Sequence, residues 1–317
     1  IAALALVSLR TVSAFAQPGA FPDKTIKVIV PFAAGGGVDV MARLFAEKAG
    51  PMLGVPVIVE NRAGASGTIG GQAAHQSPPD GYTLLFVPLT HVMANSVLKS
   101  VPYNAIADFT PVARVGESSM LVVMSPKMPQ KTLAEVAAAA REHPADWTIA
   151  TSGLGSAGHV ASIELSNVSK ANLTITPYRG TAPALTDVMG GHVQILIDSI
   201  VTLLPAASDG KVKALAITAA RRSALAPEVP TAVESGMPSL TFTSWFGFFG
   251  PKDMPRDVVI KLNATFNEAG RKLAEEKRLI PLGAEPFAET PDDFARFIQV
   301  QVERNAKLLE GAGFKPQ

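Results

Sequence analysis

Seven short apolar runs punctuate the chain: "TIKVIV" (25–30), "VPVIVE" (55–60), "YTLLFV" (82–87), "WTIATS" (147–152), "LTITPY" (173–178), "VQILID" (193–198) and "KALAIT" (213–218). Each has the length and β-branched content of a buried strand. Stretches of helical period lie between them, such as 38–53, where Val38, Met41, Leu44, Phe45 and Met52 share one side. Strands alternating with helices predict a parallel, helix-covered sheet and hence the α/β class. At 317 residues, 47% hydrophobic and 17% charged, the chain is long enough for two packed domains.

Residues 1–16 form an apolar run ending in Ala14-Phe15-Ala16. This fits the core and small-residue cleavage site of a secretory signal, with the mature chain beginning near Gln17. A buried N-terminal helix is the alternative. Of the 28 Lys and Arg, removing Arg10 leaves 27, against 27 Asp and Glu. A net charge of zero gives no reason to expect nucleic acid as a partner. With no cysteine, disulfides and thiolate metal sites are excluded. No later segment reaches the roughly 18 uninterrupted apolar residues that span a bilayer. Export without a membrane span predicts a periplasmic or external protein.

"LVVMSPKMPQKTLAEV" (121–136) and "FGFFGPKDMPRDVVIKL" (246–262) share an apolar run, Pro-Lys, Met-Pro and an amphipathic helix. Proline in a first helical turn is common, so the likeness can arise by chance. Read as organisation, it predicts that the chain enters a second lobe near 121 and re-enters the first near 246. The expected crossings are 110–122 and 241–249, giving lobe 1 as 17–115 with 245–317 and lobe 2 as 116–244.

Two glycine loops stand between a strand and a helix. Gly35–Gly37 follow the first strand and offer free backbone N–H groups to an anion at the helix start. Asp39 is either the N-cap of a helix over 40–49 or a ligand contact. In "TIATSGLGSAGHVASIEL" (148–165), Gly153, Gly155 and Gly158 satisfy G-x-G-x-x-G. The next strand ends at Tyr178-Arg179, with no acidic residue for a ribose hydroxyl, so a second anion-facing loop with Ser152 and Ser156 is the better reading.

No G-x-S-x-G elbow, H-E-x-x-H helix or Walker loop occurs, and His75, His91, His143, His159 and His192 lack ligand spacing. No metal site or cofactor is expected. His159 is either a capping or packing histidine or a ligand contact. Arg179 is either an exposed loop residue or a clamp for a carboxylate. Gly180 and Thr181 offer donors at the head of a helix over 182–189, and Asp198 ends its strand where it could face a cleft.

The ordered series "PDKTIKVIVPFAAGGGVDVMAR", "VENRAGASGTIGGQAA", "PPDGYTLLF", "TPYRGTAPALTDVMGGHV", "VKALAITAARRSALAPEVPTAVESG" and "SWFGFFGPKDMP" resembles the Bug family. These TctC-like proteins are periplasmic solute receptors of tripartite tricarboxylate transporters, and the resemblance covers 22–317. It implies a type II periplasmic-binding-protein fold, two lobes with a ligand cleft that captures a small organic acid. The family's first cradle falls on Phe32, Ala33, Ala34, Gly35 and Gly36. The second falls on Ser152, Gly155, Ser156, Ala157 and His159, and on Arg179, Gly180 and Thr181. The loop "VPLTHVMANSVL" (87–98) departs from the family pattern and is expected to line the cleft, with Thr90 among its contacts. The expected partners are a small-molecule carboxylate and transporter subunits or a sensor, bound by a monomer. The alternative is a secreted hydrolase or other enzyme on the same scaffold.

Overall fold

The computed structural model describes residues 21–317; the expected leader, 1–16, lies outside the described residues. In chain order the elements are β1 (Ile26–Val30), α1 (Gly37–Leu53), β2 (Val57–Asn61), α2 (Thr68–His75), β3 (Thr83–Pro88), α3 (Thr90–Val97), β4 (Phe109–Met124) and α4 (Leu133–Glu142). There follow β5 (Thr148–Thr151), α5 (Ala157–Ser169), β6 (Thr174–Pro177), α6 (Thr181–Gly190), β7 (Ile195–Ser199), α7 (Ile200–Ser208) and β8 (Lys213–Ile217). The chain then forms β9 (Thr243–Pro251), α8 (Arg256–Glu275), β10 (Ala284–Pro286) and α9 (Pro291–Gly311). All seven apolar runs of the sequence become strands.

The sheet runs β2-β1-β3-β9-β4-β7-β5-β6, with β8 and β10 also paired to β4. β1 is parallel to β2 and β3, and β5 is parallel to β6 and β7. β4 and β9 are antiparallel to their neighbours, so the sheet is mixed where the alternation predicts it to be parallel. Periodicity reports a strand but not its direction. In β4, moreover, Pro111, Gly116 and the polar Glu117–Ser119 interrupt the apolar pattern.

β4 joins the two lobes of this fold. Residues from Phe109 to Ser119 pair with β9, and from Met120 onward the strand pairs with β7. Its register against β9 shifts between Pro111 and Ala113 and again between Arg114 and Gly116. Such bulges increase twist, which lets one strand serve two differently oriented sheet halves.

Side-chain alternation then builds a core on each face. On one face Val28, Leu84, Phe86 and Phe248 meet Met41 and Phe45 of α1 and Leu262 and Phe266 of α8. Phe248 and Phe266 stack with ring centroids 3.7 Å apart. On the other, Ile29, Leu85, Val87 and Phe249 pack with Val92 and Met93 of α3 and with Phe294 and Ile298 of α9. In the second lobe Leu121, Val123, Ala150 and Leu196 face α6 and α7.

Beside the crossing, Arg114 donates to Glu289 from Nε at 2.7 Å and Nη2 at 2.9 Å, and to Glu117 from Nη1 at 2.6 Å. Its guanidinium lies 3.6 Å from the ring centroids of both Phe287 and Phe297. The group is buried, so deleting it leaves two carboxylates without their counter-charge. Removing one side of a buried pair costs about 3–5 kcal/mol. Arg114→Met is therefore expected to lower the urea-unfolding free energy by roughly that amount. A loss below about 1 kcal/mol would mean that the ion cluster does not anchor β4.

Candidate functional site

The six parallel strands direct their carboxyl ends at one cavity of about 1040 Å³. In open α/β sheets the loops at these ends form the ligand crevice. From the first lobe come Phe32 and Ala33 after β1, Ala63–Gly67 after β2, and Leu89 and Thr90 after β3. From the second come Ser152 and Ser156–Gly158 after β5, Arg179–Thr181 after β6, and Asp198 and Ser199 at the end of β7. The crossing strands contribute Met120, Ser244 and Phe246.

The β1–α1 loop is shaped by Asp39. Its Oδ2 accepts from the Gly35 amide at 2.8 Å and from Arg43 Nε at 3.0 Å, and its Oδ1 accepts from Asn61 Nδ2 at 2.8 Å. Asn61 Nδ2 also donates to the Phe32 carbonyl at 3.1 Å, tying the loop to the end of β2. Burial opposes ionisation of Asp39, but hydrogen bonds from Arg43, Gly35 and Asn61 outweigh it and hold the carboxyl below its ordinary value. Asp39 is not the N-cap that the sequence suggests. The helix begins at Gly37 with Gly36 as N-cap, which places Asp39 at the third helical position, reaching back to the preceding amide. With these bonds made, its carboxylate is outside the cavity lining.

Ala34, Gly35 and Gly36 are exposed and also lie outside the cavity lining, unlike Phe32 and Ala33. Gly35 has φ +82°, so it sets the turn. α1 and α6 have no side-chain cap, leaving the first amides of each helix free at the cavity edge.

In the second lobe, Ser156 caps α5 by accepting from the His159 amide at 3.1 Å. Gly158 is required for close approach: a Cβ there would fall 2.2 Å from the Ile197 carbonyl oxygen. This glycine therefore packs helix on strand, and the G-x-G-x-x-G spacing carries no acidic ribose partner with it. Gly155 and His159 are not brought to the cavity. Gly155 sits against Met93 and Val97 of α3. His159 is buried, accepts from the Gly155 amide through Nδ1 at 3.2 Å, and packs edge-on to Phe314 with centroids 5.2 Å apart. It lines a separate cavity of about 530 Å³ behind the loop.

Asp198 closes the inner end of the cleft. Its Oδ2 accepts from Thr181 Oγ1 at 2.8 Å and its Oδ1 from the Ser199 amide at 2.7 Å. Burial raises its pKa, against the opposing hydrogen bonds of Ser199, Ser152 and Thr181. Across the cavity the Thr90 hydroxyl is buried without a protein partner.

The sequence singled out neither Ala63–Gly67 nor the crossing-strand residues as site residues. Gly64, Ala65, Ser66 and Gly67 all have positive φ, at 131°, 46°, 55° and 92°. Left-handed backbone at Ala65 and Ser66 is costly, and this strained loop lines the cavity. Its signal in the sequence is the glycine-rich "NRAGASG" between β2 and α2.

This is the geometry of a two-lobed binding protein, with no described helix long and apolar enough to cross a membrane. The profile of the tripartite tricarboxylate transporter family receptor matches residues 41–314. Protein BugT of Bordetella pertussis is 35% identical over 297 residues, covering 93% of this chain and 91% of that one. The solved structure of R. palustris Rpa4515 with adipate is 30% identical with TM-score 0.81, covering 94% of this chain and 100% of that one. MatC (Rpa3494) from Rhodopseudomonas palustris with bound malate is 35% identical with TM-score 0.77, covering 91% of this chain and 100% of the other. The chain belongs to the TctC family of solute receptors, and is a binding protein rather than an enzyme.

Two measurements test the loop assignments. Gly35→Ala must adopt a left-handed backbone and is expected to cost about 1–2 kcal/mol in urea unfolding. Gly36→Ala, at φ −73° with its nearest contact the Ala33 carbonyl at 3.4 Å, is expected to cost far less. Equal losses would contradict the role of Gly35 as the turn residue.

The second concerns pH. Burial lowers His159 from 6.5 to about 4 and His91 from 6.5 to about 3. Both are neutral in the fold, so their contribution is complete above pH 6.5 and is lost as pH falls towards their folded values. At pH 5 this amounts to roughly 2 kcal/mol per imidazole. The stability lost between pH 7 and pH 5 should be smaller in His91→Leu than in wild type by about that amount; identical pH slopes would contradict a neutral buried His91.

Proposed function

We propose that this protein captures a small organic acid in the periplasm and presents it to the membrane subunits of a tripartite tricarboxylate transporter or to a sensor. The observation that carries the reading is the convergence of uncapped helix starts from both lobes on one cavity. The first amides of α1 and α6 and the exposed Arg179 supply positive potential without a buried counter-ion. Phe32, Ala33 and Thr90 are assigned to the ligand from one lobe. Ser152, Ser156, Ala157, Arg179, Gly180, Thr181 and Asp198 are assigned from the other. Ala34, Gly35, Gly36, Asp39, Gly155 and His159 hold the loops in place. Relatives bound to adipate and malate support a mono- or dicarboxylate class.

The change of β4 partners supports drawing the first lobe boundary at Ser119/Met120, four residues beyond 115/116. The receptor acts as a monomer, and closure of the two lobes reports occupancy. A thermal-shift screen tests the proposal. A carboxylate at about 100 times its Kd should add about 2.7 kcal/mol of stability, while neutral sugars and polyamines leave the melting temperature unchanged. Stabilisation by sugars with carboxylates inert would overturn it.

A further inference from the structure

Among the described residues lining the large cavity, only two are charged: Arg179 at the exposed end of the β6–α6 loop and Asp198 at the end of β7. Neither is neutralised by the protein. No Lys, Arg or His nitrogen of the described residues forms a salt bridge with Asp198, and no acidic group does so with Arg179. Asp198 is half-buried, and its carboxylate is held in a fixed orientation by Thr181 Oγ1 and the Ser199 amide, with the Ser152 hydroxyl as a third donor. Two oxygens offer about four acceptor positions, so these bonds leave capacity facing the cavity. The rest of the lining carries no charge: hydrocarbon comes from Phe32, Met41, Leu89, Met120 and Phe246, and neutral hydroxyls from Ser66, Thr90 and Ser244.

From this arrangement we propose that the receptor selects a carboxylate whose far end carries a hydrogen-bond donor, a hydroxyl or an ammonium, received by Asp198. The inference rests on the carboxylate reading above and narrows it. One free cation and one free anion complement a ligand that presents an acid at one end and a donor at the other. A dicarboxylate would place its second charge against a desolvated carboxylate, and repulsion between like charges at close range is a strong means of rejecting a competitor. An aliphatic acid with no second polar group would leave the desolvated acceptor unpaired, which is costly in a different way. Asp198 is thus the specificity-determining residue, and the helix starts and Arg179 are the general carboxylate site.

Calorimetric titration of the full chain with length-matched probes tests this. The series are butanoate, 4-hydroxybutanoate, 4-aminobutanoate and succinate, and hexanoate, 6-hydroxyhexanoate, 6-aminohexanoate and adipate. In at least one series the hydroxy or amino acid should bind ten-fold or more tightly than both the plain acid and the dicarboxylate, and the better of the two donors identifies the group. Asp198→Asn should shrink that preference to less than three-fold, with circular dichroism and melting temperature establishing that the variant is folded. If the plain acids or the dicarboxylates bind as tightly as the donor-bearing acids, the selectivity proposal is overturned while the carboxylate reading stands. If no member of either series binds, both fall. Should Asp198→Asn fail to fold, Thr181→Val, which removes the hydroxyl that orients Asp198, is expected to reduce the same preference; an undiminished preference would count against the assignment.

Discussion

Everything in this receptor hangs on the antiparallel pairing of β4 with β9. β4 is one unbroken strand whose first eleven residues, Phe109–Ser119, pair with β9 and whose last five, Met120–Met124, pair with β7 and β8. Its bulges supply the twist, and the Arg114 cluster with Glu117 and Glu289 fixes the strand where the partners change. Beside the two crossing strands, α5 packs on α3 and α9, with Gly155 against Met93 and Val97 and His159 against Phe314, so a single hydrophobic cluster runs through both halves behind the cleft. The same crossing brings Met120, Ser244 and Phe246 to the back of the cavity, so the crossing strands are also a wall of the site.

Under the proposed function, the site would hold an anion without burying an ion pair. Taking two charges out of water costs several kcal/mol each, and their attraction recovers this only in favourable geometry. Helix amides are already in place and carry partial positive charge at the end of the helix dipole. Apart from Arg179 and Asp198, the fixed charges near the cleft brace its loops rather than line it. Asp39, with Arg43 and Asn61, holds the β1–α1 loop in shape, and His159 secures the β5–α5 loop from behind. Changing either would alter binding through loop geometry rather than through a lost contact.

Most of the strand inventory was legible in the sequence because buried parallel strands read as continuous β-branched runs, and "TIKVIV" or "VQILID" leaves little else to be. Strand direction was not, since antiparallel insertion of β9 between β3 and β4 depends on contacts distant in sequence. For the site, glycine loops after strands pointed to chain ends that line the cavity, but which residue faces inward depends on helix phase. The one-turn difference between a helix starting at 37 and one starting at 40 turns Asp39 from an N-cap into a brace. His159 attracted notice by standing after glycines, yet its side chain points to the loop's rear, a choice made by packing against Phe314. The Ala63–Gly67 loop needed its φ angles to be recognised.

The central claim is that ligand draws the two lobes together about β4 and β9. The chain has no cysteine, so Arg62→Cys, just after β2, and Thr186→Cys, on α6, place single spin labels at exposed positions in the two halves. Double electron–electron resonance would be recorded without ligand and with 6-hydroxyhexanoate raised until the melting temperature stops climbing. The account predicts a shift of the interlabel distance distribution to shorter values, with a minor short-distance population already present before ligand. A distribution unchanged at saturation would contradict closure and describe a rigid pocket.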